Sequence, residues 1–450
     1  MRLIRIPLPI LLVILQLPLI LDPGWFSHDE IEWLARADVP SWSALPWIGW
    51  LDLAPLQYRP LTFNLWLALA HTWPTPAPMH LAFVLIGVAN AWLLARVLIR
   101  TGITEPVAYA AAVVFSLSPY AVYVHGWTGT LADLLTLAFG LLAARCLQRA
   151  VATTEAKTAI PHALACALLV ATALLCKESA IVLPALLLLA VPHDITLRRR
   201  ALAIAPAAAV VLVYLLLRLP VLAASGETDP AYAWSLRNVP ARLAEYLLYP
   251  FAPPLFEIAP LLIKSAIRIA AAIACLVAFL ATLATAGRRW AIAWLAAFAI
   301  ALAPVLVLPI SYNHYAYLAS AVAIAVAASA WSHLHRIGRN VLSVLAAIVM
   351  LHGVIVMARM YAVGEIQRNL YGDLLAELHA STAPLHIIPA DPRDDWLPGR
   401  LLLGVDAYQG VPFGGRVNYG DTLSAHPGDR LLFMNRDGHL HPDGSPLTPH

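Results

Sequence analysis

Charged side chains are scarce in this sequence. Asp, Glu, Lys and Arg make up only 12% of its 450 residues while 61% are hydrophobic, and the mean hydropathy of +0.74 excludes a water-soluble globule of this length. The 29 basic and 26 acidic residues nearly cancel, so there is no global basic field and nucleic acid is not expected as a partner. The four cysteines, Cys146, Cys166, Cys176 and Cys275, lie in or beside apolar runs with no CxxC pair, which argues against a disulfide framework and a structural zinc site. No Gly-rich loop is present to cradle a nucleotide, and no internal repeat is visible.

What the chain has instead is lipid-soluble length. Spanning helices need about 20 apolar residues, and such runs occur near 4–22, 79–99, 106–124, 131–148, 159–176, 179–193, 201–219, 265–286, 290–309, 315–331 and 341–360. The first follows Arg2 and Arg5, but no small-residue cleavage site follows it, so it is read as an anchored helix rather than a signal peptide. Basic residues gather in alternate connections: Arg96 and Arg100; Arg145, Arg149 and Lys157; Arg198 to Arg200; Arg288 and Arg289; Arg336 and Arg339. By the positive-inside rule these connections and the N-terminus are cytoplasmic and the C-terminus is periplasmic. The expectation is an all-α polytopic protein of about eleven transmembrane helices in a bacterial inner membrane. Residues 1–360 would form the membrane domain and 361–450 a periplasmic tail.

Two outer loops, 23–78 and 220–264, are too long to be turns. Their Trp- and Tyr-rich stretches suit interfacial helices. The tail turns polar, and Arg430 to Met434 followed by Asn435-Arg436-Asp437-Gly438 reads as a strand and turn within a small α/β segment.

Polar motifs intrude where chain meets bilayer on that same side. Phe26-Ser27-His28-Asp29-Glu30 follows the first run, and its acids also suit a helix N-terminus. A partly desolvated carboxylate there is expected to have a raised pKa, with a nearby cation keeping it ionised. Gln57-Tyr58-Arg59-Pro60-Leu61-Thr62 precedes an interfacial helix, where an Arg anchors to headgroups or binds a lipid phosphate. Met79-His80 opens the second run and Asp133 lies on the outer turn of the fourth. Lys177-Glu178 separates two runs, and Ser311 to Leu318 opens the tenth. Ionisable groups at membrane depth are costly and mark functional cavities. Asp29, Glu30 and Asp133 lack His at ligand spacing, so no metal or other cofactor is expected.

The order of these motifs, with Ala89-Asn90-Ala91, Ala132-Asp133-Leu134 and Tyr315 to Leu318 among them, resembles the GT-C superfamily of membrane glycosyltransferases. It is similar in particular to the O-mannosyltransferases that carry tetratricopeptide repeats and to their bacterial relatives. The resemblance covers roughly residues 1–330. It implies an inverting transfer of a sugar from a polyprenyl-phosphate donor to a periplasmic hydroxyl on a protein, lipid or glycan, with the acid of the first loop as catalytic residue. Asp29 or Glu30 takes that role, Arg59, Lys177 and His314 are candidates for the donor phosphate, and His28, Tyr58, His80, Asp133, Glu178 and Tyr317 for substrate contacts. Thr130-Leu131 and Asn313-His314 depart from the Gly-Arg and Glu-Arg pairs usual in the relatives, and the tail has no repeats. The rival readings are a transporter or flippase of amphiphilic cargo and an inactive lipid-binding relative; transporters place their binding groups near midplane, whereas the charges here gather at one interface.

Overall fold

The computed structural model describes residues 6–47, 49–153, 155–191, 195–224, 230–252, 265–391 and 396–442. Among them, eight helices are long and apolar enough to cross a membrane, and a bent pair makes nine. The first apolar run breaks into α1 (Leu8–Leu15) and α2 (Leu17–Ile20), with Pro18 in the first turn of α2 because proline cannot continue the hydrogen-bond ladder. The first loop then supplies α3 (His28–Ala37) and α4 (Pro60–Thr72), both too short to cross a bilayer. Next come α5 (Pro76–Arg100), α6 (Glu105–Ser116) and α7 (Pro119–Gly126). The last two are the expected span 106–124, bent by 60°; Ser118 caps α7 by accepting from Ala121 N, and Pro119 starts it, a combination that favours a new helix over a continued one.

The bundle continues with α8 (Leu131–Ala152), α9 (Ala156–Leu174), the short α10 (Leu183–Leu187), α11 (Leu197–Ala223), α12 (Val239–Leu248), α13 (Ala266–Thr285), α14 (Arg288–Leu306) and α15 (Tyr317–Ala330). The sixth apolar run is not a regular span: α10 is flanked by 3-10 turns at Glu178–Val182 and Leu188–Ala190. At one end of the bundle Arg145 lies close enough to Arg96, Arg100 and Arg149 to feel their charges. Asp133 sits at the opposite end of α8.

The last helix, α16 (Arg336–Ala380), has 45 residues, roughly 68 Å at the standard rise, about twice the hydrocarbon thickness. The expected domain boundary at 361 therefore falls inside a helix, and the strand-bearing unit begins after Ser381. Small residues let α16 approach the site-bearing segments. A Cβ on Gly353 would lie 1.8 Å from the Leu117 carbonyl oxygen, and one on Gly364 1.7 Å from Asp22 Oδ1.

Beyond α16, β1 (Leu385–Pro389) is central. The short α17 (Trp396–Leu402) follows it, then a hairpin of β2 (Ala407–Tyr408) and β3 (Val411–Pro412) turns through Gln409 and Gly410, both at positive φ, as tight hairpins require. The strand order is β4 (Val417–Tyr419), β1, β5 (Arg430–Met434), β6 (Leu440–His441). β1 runs parallel to β4 and β5, and β6 antiparallel to β5. Leu385, Ile387, Leu401 and Leu432 belong to the same buried core as Leu370 and Leu374 of α16, so this unit is seated on the helix that carries it.

Candidate active site

Ser27 precedes α3 in extended conformation, and Glu30 at the third helical position reaches back to it. Glu30 Oε2 accepts from Phe26 N at 2.6 Å and Ser27 N at 2.8 Å; Oε1 accepts from Thr128 N at 2.8 Å and Thr128 Oγ1 at 2.5 Å. The residue has no exposed surface. Burial pushes its carboxyl up to about 7 against the pull of those donors. Glu30, a candidate base from its sequence position, is thus a tether between the first loop and the start of α8, with each oxygen engaged by two donors.

Asp29 is placed differently. Its side chain is 45% exposed, and Oδ1 lies 3.0 Å from His28 Nε2, while His28 Nδ1 donates to the Arg400 carbonyl at 3.0 Å. With an acceptor at each nitrogen the imidazole is suited to the doubly protonated form. Burial disfavours that cation, but the hydrogen bond and charge of Asp29 prevail and raise the His28 pKa. Burial likewise pushes Asp29 up, but His28, Arg400 and Ser27 outweigh it and hold the carboxyl below its usual value. This corrects the raised pKa expected of it.

The second group forms where α4 meets the end of α9. Leu61 N donates to the Leu175 carbonyl at 3.2 Å and Thr62 Oγ1 to the Cys176 carbonyl at 3.0 Å. That seam sets Arg59 against Glu178, with Nε at 3.2 and 2.9 Å from the two carboxylate oxygens and Nη2 at 2.9 Å from Oε2. Lys177 turns inward, Nζ 2.5 Å from Asp133 Oδ1 and 4.9 Å from the Tyr315 ring centroid. His314 stands beside them, its ring 4.4 Å from Tyr315 and 5.3 Å from Trp127, close enough to Arg59, Lys177 and Arg400 to feel their charges. Arg59, Lys177 and His314 therefore share one neighbourhood, but the Arg and the Lys arrive already neutralised by Glu178 and Asp133.

Three predicted contacts lie outside this group. His80 is fully buried beneath the first loop, where Nε2 donates to the Gly24 carbonyl at 3.0 Å. Tyr317 is buried in a polar chain inside the bundle: its hydroxyl meets His125 Nε2 at 2.9 Å and Asn90 Nδ2 at 3.2 Å, and His125 Nδ1 meets Gln16 Oε1 at 2.5 Å. Tyr58 donates to the Trp50 carbonyl and lies under Arg218, whose Nη2 holds the Pro55 and Leu56 carbonyls at 2.7 and 2.8 Å. The hydrogen bonds of these three tie together the first loop and the bundle.

Trp127 joins the two groups. Its ring lies 6.1 Å from Phe26, 5.7 Å from Tyr123 and 5.3 Å from His314, and the Arg400 guanidinium of α17 sits 4.7 Å from it and 4.4 Å from the Phe26 ring. Arg400, Tyr123 and Trp127 were not among the residues expected at the site, and a lone Arg in a polar tail gives no motif by which to find it. Alongside, an apolar cavity of about 600 Å³ runs past Tyr120, Tyr246, Phe298 and Ser320 to Trp331; Tyr246 accepts from Tyr312 N at 3.2 Å, two residues before His314. Among the described residues, no three His, Cys, Asp or Glu side chains are grouped to hold a metal ion.

No family profile and no curated protein matches this sequence. Among solved structures, the oligosaccharyltransferase AglB from Archaeoglobus fulgidus, in complex with an inhibitory peptide and a dolichol-phosphate, aligns with 88% of this chain at 10% identity and a TM-score of 0.44. ArnT from Cupriavidus metallidurans, bound to undecaprenyl phosphate, aligns with 87% of this chain and 84% of its own at 15% identity and a TM-score of 0.37. This chain spans 63% of the AglB length. Likenesses this loose fix neither fold nor function, so the chemistry has to stand on the residues of the cleft.

Proposed function

We propose that this chain is an inverting glycosyltransferase of GT-C type that moves a sugar from a polyprenyl-phosphate donor to a hydroxyl on the outer face of a bacterial inner membrane. The observation that carries the reading is Asp29, a half-exposed carboxylate kept ionised by His28, beside the packed rings of Trp127 and His314 and the paired charges of Arg59 and Lys177.

Asp29 takes the proton from the acceptor hydroxyl as its oxygen forms a bond to the anomeric carbon. The bond from that carbon to the phosphate oxygen breaks on the opposite face, and the electron pair leaves with the lipid phosphate. Ionisation at neutral pH makes Asp29 ready to accept, and His28 holds its orientation. The pairs Arg59–Glu178 and Lys177–Asp133 have no net charge, so their contribution is a rigid polar wall of fixed dipoles facing the sugar. The apolar cavity beside Tyr246 suits the isoprenoid chain of the donor. The gathering of the paired motif residues at the Asp133 end of the bundle favours this reading over transport, in which binding groups are expected near midplane.

The test is transfer by purified protein in proteoliposomes supplied with radiolabelled undecaprenyl-phosphate sugar and a membrane-extract acceptor. Label entering the acceptor with inverted anomeric configuration is the expected result. Label that crosses the bilayer still on its lipid would replace the enzyme with a flippase.

A further inference from the structure

We propose that the C-terminal unit completes this cleft: Arg400, with Tyr123, Trp127 and His314, forms a pocket for a phosphate ester, that of the donor lipid. The inference rests on the glycosyl-transfer reading above; it keeps His314 as a phosphate contact and adds Arg400, Tyr123 and Trp127, which neither motif order nor charge patterning singled out.

Arg400 is held from three directions, two through its side chain and one through its backbone. Its guanidinium lies between the rings of Phe26 and Trp127, its Nε donates to the Phe26 carbonyl at 3.3 Å, and its own carbonyl accepts from His28 Nδ1. The outer nitrogen Nη2 is nevertheless buried with no hydrogen-bond partner. The same is true of Trp127 Nε1, His314 Nδ1 and the Tyr123 hydroxyl. Tyr123 is near enough to feel the charge of Arg400 without a well-aligned bond to it. Folded proteins leave few buried polar atoms unsatisfied, and each calls for an explanation. Here one of the four is the Trp127 indole nitrogen and the other three belong to residues packed around that ring, with Tyr123 and His314 at 5.7 and 5.3 Å between ring centroids and the Arg400 guanidinium at 4.7 Å.

The chemistry of the four defines the ligand. Arg and Trp nitrogens only donate, the Tyr hydroxyl can donate, and His314 Nδ1 donates in the matching tautomer. A cluster of donors with a single fixed cation fits an oxyanion with several oxygens, and Arg matches phosphate in planar geometry. Charge excludes the competing cations. Arg59 and Lys177 are each in a salt bridge with a carboxylate, so a phosphate approaching them meets Glu178 and Asp133 as well. Among the described residues Arg400 forms no salt bridge, and its acidic neighbour Asp29 is engaged by His28. The lipid phosphate gains negative charge as the sugar leaves, and a cation held in no direct salt bridge, with donors free at that moment, favours the departure.

A phosphate ester could come from the donor lipid or from a phosphorylated acceptor, and the test separates them. Full-length protein, wild type and the variants Arg400→Ala, Arg400→Lys and Trp127→Phe, is titrated in detergent with undecaprenyl phosphate, undecaprenol and glycerol 3-phosphate. Wild type is expected to bind undecaprenyl phosphate at least tenfold more tightly than undecaprenol. Arg400→Ala should bring the two to parity, Arg400→Lys should retain part of the preference, and Trp127→Phe, which keeps the ring and removes only the N–H, should weaken undecaprenyl phosphate several-fold with an unchanged melting temperature. An undiminished preference in Arg400→Ala and Trp127→Phe would overturn the pocket while leaving the transferase reading intact. Glycerol 3-phosphate binding as tightly as the lipid would overturn the donor assignment in favour of a phosphorylated acceptor. Wild type without any preference for the phosphate would sink both the pocket and the donor on which it rests.

Discussion

Lys177 Nζ lies 2.5 Å from Asp133 Oδ1, and the two side chains are only 4% and 9% exposed. An ion pair so deeply placed contributes little net stability, yet removing one partner strands the other charge away from water. Lys177→Met should therefore destabilise the protein by about 3–5 kcal/mol, read as a fall in melting temperature in detergent. The double variant Lys177→Met with Asp133→Leu should recover most of the loss. Equal damage from single and double variants would mean that the pair has a role its charges do not explain.

Asp29→Asn preserves size and removes the base. Transfer should fall by at least about 10²-fold with folding and donor binding intact, because Asp29 is half-exposed and touches only His28 and the helix start. Unchanged transfer would remove Asp29 from the mechanism.

Glu30→Gln should act on stability instead. The carboxylate accepts from four donors, and an amide would turn its own N–H groups toward two of them, at a cost of about 1–3 kcal/mol. A lower melting temperature with residual transfer per folded molecule near wild type is the expected pattern.

The pH profile separates the two acids. A base works only when ionised, so activity is lost as pH falls through its pKa. With Asp29 held below its usual value, its acid limb lies well under neutrality; Glu30, near 7, would impose one around pH 7. A neutral limb abolished by Glu30→Gln would transfer the role to Glu30. His28, whose pKa is raised from 6.5, would give a limb of the opposite sense, with activity falling as pH rises and the imidazolium beside Asp29 is lost.

Gly364 touches Asp22 across the contact between α16 and the first loop, and a methyl group there would collide with the Asp22 carboxyl. Gln367, one turn on, accepts from Trp25 N at 3.0 Å. Gly364→Ala should shift the loop that delivers Asp29 and reduce transfer more than it reduces donor binding. Equal transfer and binding would show that the loop is positioned from elsewhere.

The hydrophobic runs by themselves determined that the chain is a helical membrane protein, since a bilayer accepts such a sequence only as spanning helices whose backbone groups are paired within each segment. The Trp- and Tyr-rich stretches of the first loop also located two of its helices, and the strand-and-turn pattern located the strand at Arg430 to Met434. Run length was a poorer guide where Pro18 and Pro119 break the helix and around α10, and it did not show that α16 continues past residue 361 to Ala380, because polar residues continue a helix as readily as they end one. Motif order brought Arg59, Lys177 and His314 to mind together, but only the folded chain shows that two of them arrive with carboxylates attached. Adjacent positions in sequence said nothing of the opposite fates of Asp29 and Glu30, because consecutive residues at a helix N-terminus point about 100° apart, one to the cleft and one to Thr128. Arg400 was beyond the reach of sequence altogether: some 370 residues separate it from His28, and only the docking of the C-terminal unit on α16 makes them neighbours.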